Sequence, residues 1–395
     1  MKKKITESLL IIAYAFLLCL CAALLCSNAS AENAVDLANT PNQDGWLDVC
    51  TLPDGGLVFA GYTEMQTEDG PDKGRLLCLN PDRTVRWTYT DPDAFSYGTV
   101  KLLKDGTIAV FSYNGVKFFT PDGQPAGKDI SLPYTNGDIY DITSLGILHA
   151  QRQADEAQAE SLVLTGWDGS TLFRISEPES MWAGSAPIEE EDGLVLFGQE
   201  SGDPAQAAAK MMKVDLEGNP VWQSVMPFLS EKRLSTSVNA CCKTSDGGYL
   251  AVLWDLITDP DSGTENSNHV LVKFDSAGKL LWMLPTRFAF WQTAEYDGKY
   301  VGYTHAFDWE TNRPFMRYLW VDADGNELGT TELHFSEEDL PRYTGPADMS
   351  LSVEKMIPMS DGLWQVLCFW KTDEPKEDDP AWSPQDNLLL RVPEL

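Results

Sequence analysis

Acid–base chemistry in this chain would have to be built from carboxylates. Asp and Glu number 60 against 29 Lys and Arg, and histidine occurs four times, at His149, His269, His305 and His334. Those histidines share no spacing, and G-x-S-x-G, H-E-x-x-H, P-loop and strand-linked G-x-G-x-x-G patterns are absent. No catalytic set is assigned. A carboxylate mechanism would fall to Asp48, Asp138 and Glu295, each in an extended segment running into a turn at Asp54-Gly55, Leu145-Gly146 or Asp297-Gly298. Two such carboxyls about 5–5.5 Å apart suit a retaining glycoside hydrolase, and about 6.5–9.5 Å an inverting one. The formal charge of −31 argues against an electrostatic hold on nucleic acid or anionic lipid, which needs clustered Lys and Arg.

Binding chemistry is the other option. Trp46, Tyr97, Tyr140, Trp182 and Trp291 stand ahead of five of the seven turns, Trp46 and Tyr97 each eight residues before an Asp-Gly. Flat rings with an apolar body and a polar tip can stack on sugars or grip a peptide. Rings in these places also pack one repeat on the next, and spacing does not separate the two uses. The acidic stretches Glu64–Lys73, Asp255–Asn268, Asp308–Arg313 and Asp373–Asp386 offer hard oxygen ligands of the kind calcium takes, or keep an exported protein solvated. Asp322-x-Asp324-x-Asn326 opens like a calcium loop, but Glu327 stands where the turn glycine belongs, so it reads as a β-turn. No metal site and no cofactor are assigned, with calcium at the acidic loops as the one candidate.

These residues are carried by a repeat. Pro53-Asp54-Gly55-Gly56-Leu57-Val58-Phe59-Ala60-Gly61 leads to Leu76–Asn80 and Val85-Arg86-Trp87. Ser245-Asp246-Gly247-Gly248-Tyr249-Leu250-Ala251-Val252 leads to Val270–Asp275 and Leu280-Leu281-Trp282. Each phrase reads as strand, tight Asp-Gly turn, strand, loop, strand, short turn, strand. Further turns at positions 105, 145, 192, 297 and 361 bring the count to seven, spaced 51, 40, 47, 54, 51 and 64 residues apart. Four short strands per unit of this length, repeated four to eight times, specify an all-β fold: a single seven-bladed β-propeller of four-stranded antiparallel blades, with six or eight blades as the alternative counts. The Ala-rich segment Pro204–Met212 is expected to hold a turn or two of helix. The seventh repeat stops after its third strand, so a segment within Asn33–Leu37 is expected to supply the fourth and close the ring.

The D-G-G-[YL]-[LV]-x-[AV] phrase, followed by the downstream strand and Trp, resembles the repeat of exported bacterial propeller proteins. At its G-x-x-x-W end it is similar to the tryptophan-docking blades of quinoprotein-like and outer-membrane-assembly propellers. The resemblance spans residues 45–395, strongest in the first and fifth repeats, and implies a fold rather than an activity.

Lys2, Lys3 and Lys4, the apolar run Leu9–Cys26 and Ala29-Ser30-Ala31 make residues 1–31 a signal peptide or an uncleaved anchor; both readings export the rest. Residues 32–44 form an N-terminal segment and 45–395 the propeller. Beyond the signal remain Cys50, Cys78, Cys241, Cys242 and Cys368, an odd number read mainly as small buried hydrophobes, with Cys50–Cys78 the alternative disulfide. The expected protein is a secreted or surface-held monomer. It is read as a non-catalytic module binding a surface polysaccharide or protein on one propeller face, without nucleic acid. A carbohydrate-active hydrolase or lyase and a structural surface protein are the alternatives.

Overall fold

Short β-branched and aromatic runs punctuated by glycine turns leave the chain no helical periodicity to follow, and among the described residues every regular element is a strand. The computed structural model describes residues 35–37, 44–63, 73–94, 96–112, 115–131, 139–152, 160–176, 180–181, 186–200, 208–226, 233–258, 265–286, 290–308, 313–335, 349–371 and 386–395. The strands form seven antiparallel sheets, each a blade of a seven-bladed propeller. Blade 1 is Asp44–Thr51, Leu57–Thr63, Lys73–Leu79 and Val85–Asp91, from channel to rim; blade 5 is Arg233–Lys243, Tyr249–Thr258, Glu265–Phe274 and Leu280–Thr286. Blades 2, 3, 4 and 6 fall at 97–131, 139–176, 180–225 and 292–334. The innermost position of blade 4 is split between Ser180–Met181 and Ile188–Glu190.

Blade 7 takes Met349–Met359, Gly362–Lys371 and Asp386–Arg391 from the C-terminus and Val35–Asp36 from the N-terminus. Val35 faces Leu389, Asp36 faces Leu388, and the Leu37 amide donates to the Asn387 carbonyl at 3.2 Å, so the ring closes where the sequence expects it. Ala208–Asp215, by contrast, is a strand and not part of a helix. Its alternate residues reach the two faces of a blade buried on both sides, and that packing overrides the helical propensity of alanine.

The core is divided into seven apolar layers, each between two successive blades, as in Leu37, Trp46, Phe59, Ile357, Trp364 and Leu389 between blades 7 and 1. At the rim, a ring from the fourth strand of one blade covers the third-to-fourth turn of the next. An added Cβ at Gly123, Gly218, Gly278 or Gly325 would lie 2.5–2.7 Å from Trp87, Phe173, Trp222 or Trp282. Trp87 and Trp282 also donate their indole N–H to Pro121 and Ala323 carbonyls at 3.0 and 2.9 Å. At the closing seam the two-residue strand from the N-terminus brings no ring, and Arg83 occupies the glycine position at φ 70°. Its guanidinium covers Trp364 at 4.9 Å and pairs with Asp361 at 3.0 Å.

The first turns are of two kinds. In blades 1, 2 and 5 the Asp-Gly sits in a five-residue connection rather than a two-residue one. There the Leu52 amide bonds the Gly56 carbonyl, with matching Leu103–Thr107 and Thr244–Gly248 bonds. Asp297-Gly298 is the two-residue hairpin expected, with φ 51° and 68°. Asp322 accepts the amides of Asp324 and Asn326 with its own carboxylate, making the β-turn read from the sequence.

Candidate functional site

Antiparallel alternation puts the inter-blade linkers and the second-to-third loops on one face, here the loop face. The strand starts that carry the ring set open onto it, and the place of each ring relative to a β-bulge decides which way it turns. In blade 1 the pairing of the first two strands shifts between Trp46 and Asp48, and in blade 2 between Tyr97 and Thr99. The extra residue sends the preceding side chain to the opposite face from an unbulged strand. Trp46 is therefore 1% exposed, edge-on to Phe59 at 6.0 Å and covered by Arg75, which pairs with the buried Asp44 at 2.9 Å. Tyr97 is fully buried against Gly74 and donates its hydroxyl to Asp91 at 2.5 Å, and Lys117 pairs with the same carboxylate. Neither ring offers a face to a ligand, which corrects the expectation for both. Tyr140 is itself a bulged residue, and Trp182 lies outside the described residues.

In blade 6 Gln292 faces Tyr303 as Asp48 faces Ala60 in blade 1, so Phe290 stands where Trp46 does and Trp291 where the bulge residue Leu47 does, itself 40% exposed. Phe290 takes the inward place, fully buried on Gly302, and Trp291 turns outward, 42% exposed, its amide bonded to the Tyr303 carbonyl at 3.3 Å. Around it the neighbouring strands assemble a row of rings. Trp254, 37% exposed on the second strand of blade 5, stacks on His269 at 6.4 Å and 20°. His269 meets Trp291 edge-on at 5.9 Å, and Trp291 lies parallel to the exposed His305 at 6.3 Å and 9°. The buried His269 donates Nδ1–H to the Phe290 carbonyl at 2.9 Å, and burial, which outweighs that bond, pulls its pKa below the ordinary histidine range. The ring is thus neutral near pH 7, leaving Nε2 as an acceptor. Sequence reading passed over Trp254, His269 and His305. A signal was present for two of them: Trp254 and His305 each stand eight residues after the Asp of their blade's Asp-Gly turn, at the same place in successive second strands.

The carboxylate candidates are already engaged. Asp48, just after the blade 1 bulge, pairs with Lys355 of blade 7 and accepts the Val100 amide of blade 2 at 2.9 Å. Lys355 also donates to the Val49 carbonyl at 3.1 Å. Side chains aimed by bulges thus cap the free inner edges of adjoining blades, and Lys101 continues the arc to Asp141 at 3.8 Å. Glu295 accepts the Ser245 amide and hydroxyl of blade 5, both at 2.5 Å, a clasp repeated by Glu189 on the Ser144 amide of blade 3. Asp138 lies outside the described residues, as do most of the acidic loops considered for calcium. Among the described residues no three His, Cys, Asp or Glu side chains gather as metal ligands.

The five cysteines among the described residues form no disulfide, so the Cys50–Cys78 alternative falls. Burial pushes Cys50 and Cys242 up to about 12 and Cys78 up to about 11, so none of these three is poised as a thiolate nucleophile.

No family model matches the sequence, and no curated protein matches it. Among solved structures the chain is similar to a catalytically inactive variant of virginiamycin B lyase from Staphylococcus aureus, solved with quinupristin. That likeness has a TM-score of 0.51 at 11% identity over 91% of this chain and 99% of that one. BamB from Moraxella catarrhalis aligns at a TM-score of 0.44 and 10% identity over 91% and 99%. The propeller domain of the trilobed protease from Pyrococcus furiosus aligns at 0.48 and 10% over 84% and 96%. At these identities the likeness speaks for the fold alone. The chain is a seven-bladed β-propeller with bacterial propeller proteins among its structural neighbours.

Proposed function

We propose that the protein is an exported, non-catalytic binding module, akin to secreted DGGY-repeat propellers, that holds a surface polysaccharide on the loop face at blades 5 and 6. The observation that carries this reading is the pair of half-exposed indoles, Trp254 and Trp291, set on either side of His269. Large rigid rings held by strands present contact area at little entropic cost. The carboxylate-pair alternative gains no comparable support, because Asp48 and Glu295 are bonded to neighbouring blades.

The test is to incubate the purified protein with a panel of insoluble polysaccharides, assaying the pellet for protein and the supernatant for released sugar. The expected result is retention without sugar release, lost in the Trp254→Ala/Trp291→Ala double variant at an unchanged melting temperature. Sugar release would overturn the non-catalytic reading. Retention that survives both substitutions would remove the rings from the site, and no retention on any polymer would transfer the role to a protein partner.

A further inference from the structure

Charge narrows what the ring site can hold. Trp254, His269, Trp291 and His305 follow one another at centroid separations of 6.4, 5.9 and 6.3 Å. Elsewhere the molecule lays its own cations on its rings, at Trp46, Trp364, Tyr300 and Phe315. Among the described residues no Lys or Arg lies over Trp254 or Trp291. The imidazole between them is neutral because burial outweighs its Nδ1–H bond to the Phe290 carbonyl. The chain as a whole carries −31, a field that gathers cations and repels carboxylate, sulfate or phosphate groups. Indole is the ring that attracts a cation most strongly.

We propose that this site takes an organic ammonium group, either a trimethylammonium or the protonated amine of an amino sugar, on the faces of Trp254 and Trp291. The proposal rests on the reading of these rings as the binding surface. A neutral glycan would use the same faces without the charge contribution, and an acidic one would be opposed by the field.

The experiment titrates the purified full-length protein at low ionic strength with two matched pairs, following binding by calorimetry. Choline is set against its neutral isostere 3,3-dimethylbutan-1-ol, and glucosamine against N-acetylglucosamine. The expected result is about fivefold or greater preference for the cation in at least one pair. The choline pair reports a quaternary ammonium source and the glucosamine pair an amino sugar. Trp254→Leu and Trp291→Leu should each reduce the preference while the circular dichroism spectrum stays native. If the neutral partners bind equally well, if none of the four probes binds, or if the preference survives in both variants, the ammonium proposal is overturned. The ring-surface reading is judged separately, by whether polymer retention survives the same substitutions.

Discussion

Blades 1 and 6 set the middle of their innermost strands in the same register, Asp48 facing Ala60 and Gln292 facing Tyr303, but carry their indoles one position apart. In blade 1 the bulge at Leu47 turns Trp46 into the layer against blade 7, where Phe59 and Arg75 enclose it. In blade 6 Phe290 fills the inward place that Trp46 fills in blade 1, and Trp291 takes the place of Leu47, itself 40% exposed, which leaves the indole at the surface beside two histidines. A shift of one position along the strand therefore decides whether an indole is buried between blades or left at the surface. The same device acts at the channel, where bulges aim Asp48, Asp141 and Lys355 and the blades adjoining Asp48 and Lys355 spend those groups on their open edges.

The largest effect should come from the buried member of the pair. Trp46→Ala is expected to cost about 3–5 kcal/mol in urea denaturation, while Trp291→Ala stays within about 0.5 kcal/mol. Comparable losses at both sites would break the comparison. Next in size is the rim. Gly278→Ala meets both a positive φ of 74° and the Trp222 ring at 2.5 Å, and should cost about 2–4 kcal/mol. Gly169, at φ 82° with nothing within 4 Å of an added Cβ, should cost only about 1–2 kcal/mol on the same change.

Acid sharpens the contrast between the turns. Burial acts to raise Asp246, but hydrogen bonds from Thr244, the buried Lys273 and the Gly248 amide hold it down at about 2, from an ordinary 3.8. Its contribution is complete above the unfolded value and is lost as pH falls from about 4 to about 2. Lys273→Met should flatten that part of a stability–pH curve; an unchanged curve would remove the lysine from the account. The smallest effect is expected at the seam. Arg83→Gly relieves the φ of 70° as it loses Trp364 and Asp361, for a net change within about 1 kcal/mol. Arg83→Ala keeps the strain and should melt lower than the glycine variant.

The repeat, the blade number and the closing strand were legible because glycine turns, six of the seven Asp-Gly, and apolar strands recur every 40 to 64 residues, and because the seventh repeat lacks its fourth strand. The helix expected near Ala208 failed because alanine propensity was read without the two packed faces of the blade. Among the ring candidates Trp291 lies at the surface, whereas Trp46 and Tyr97 do not, since a bulge leaves no mark in residue type. Trp254 ends an apolar run, Tyr249–Leu253, that reads as continuous strand, so its exposure was hidden by its neighbours.

Hydroxyl-radical footprinting with mass spectrometry, with and without a polysaccharide that retains the protein, tests the central claim most directly. The account predicts that Trp254 and Trp291 oxidise readily and are protected by the polymer, while Trp46 and Trp320, each 1% exposed, stay slow in both states. Ready oxidation of Trp46, or ligand protection that spares Trp254 and Trp291, would contradict it.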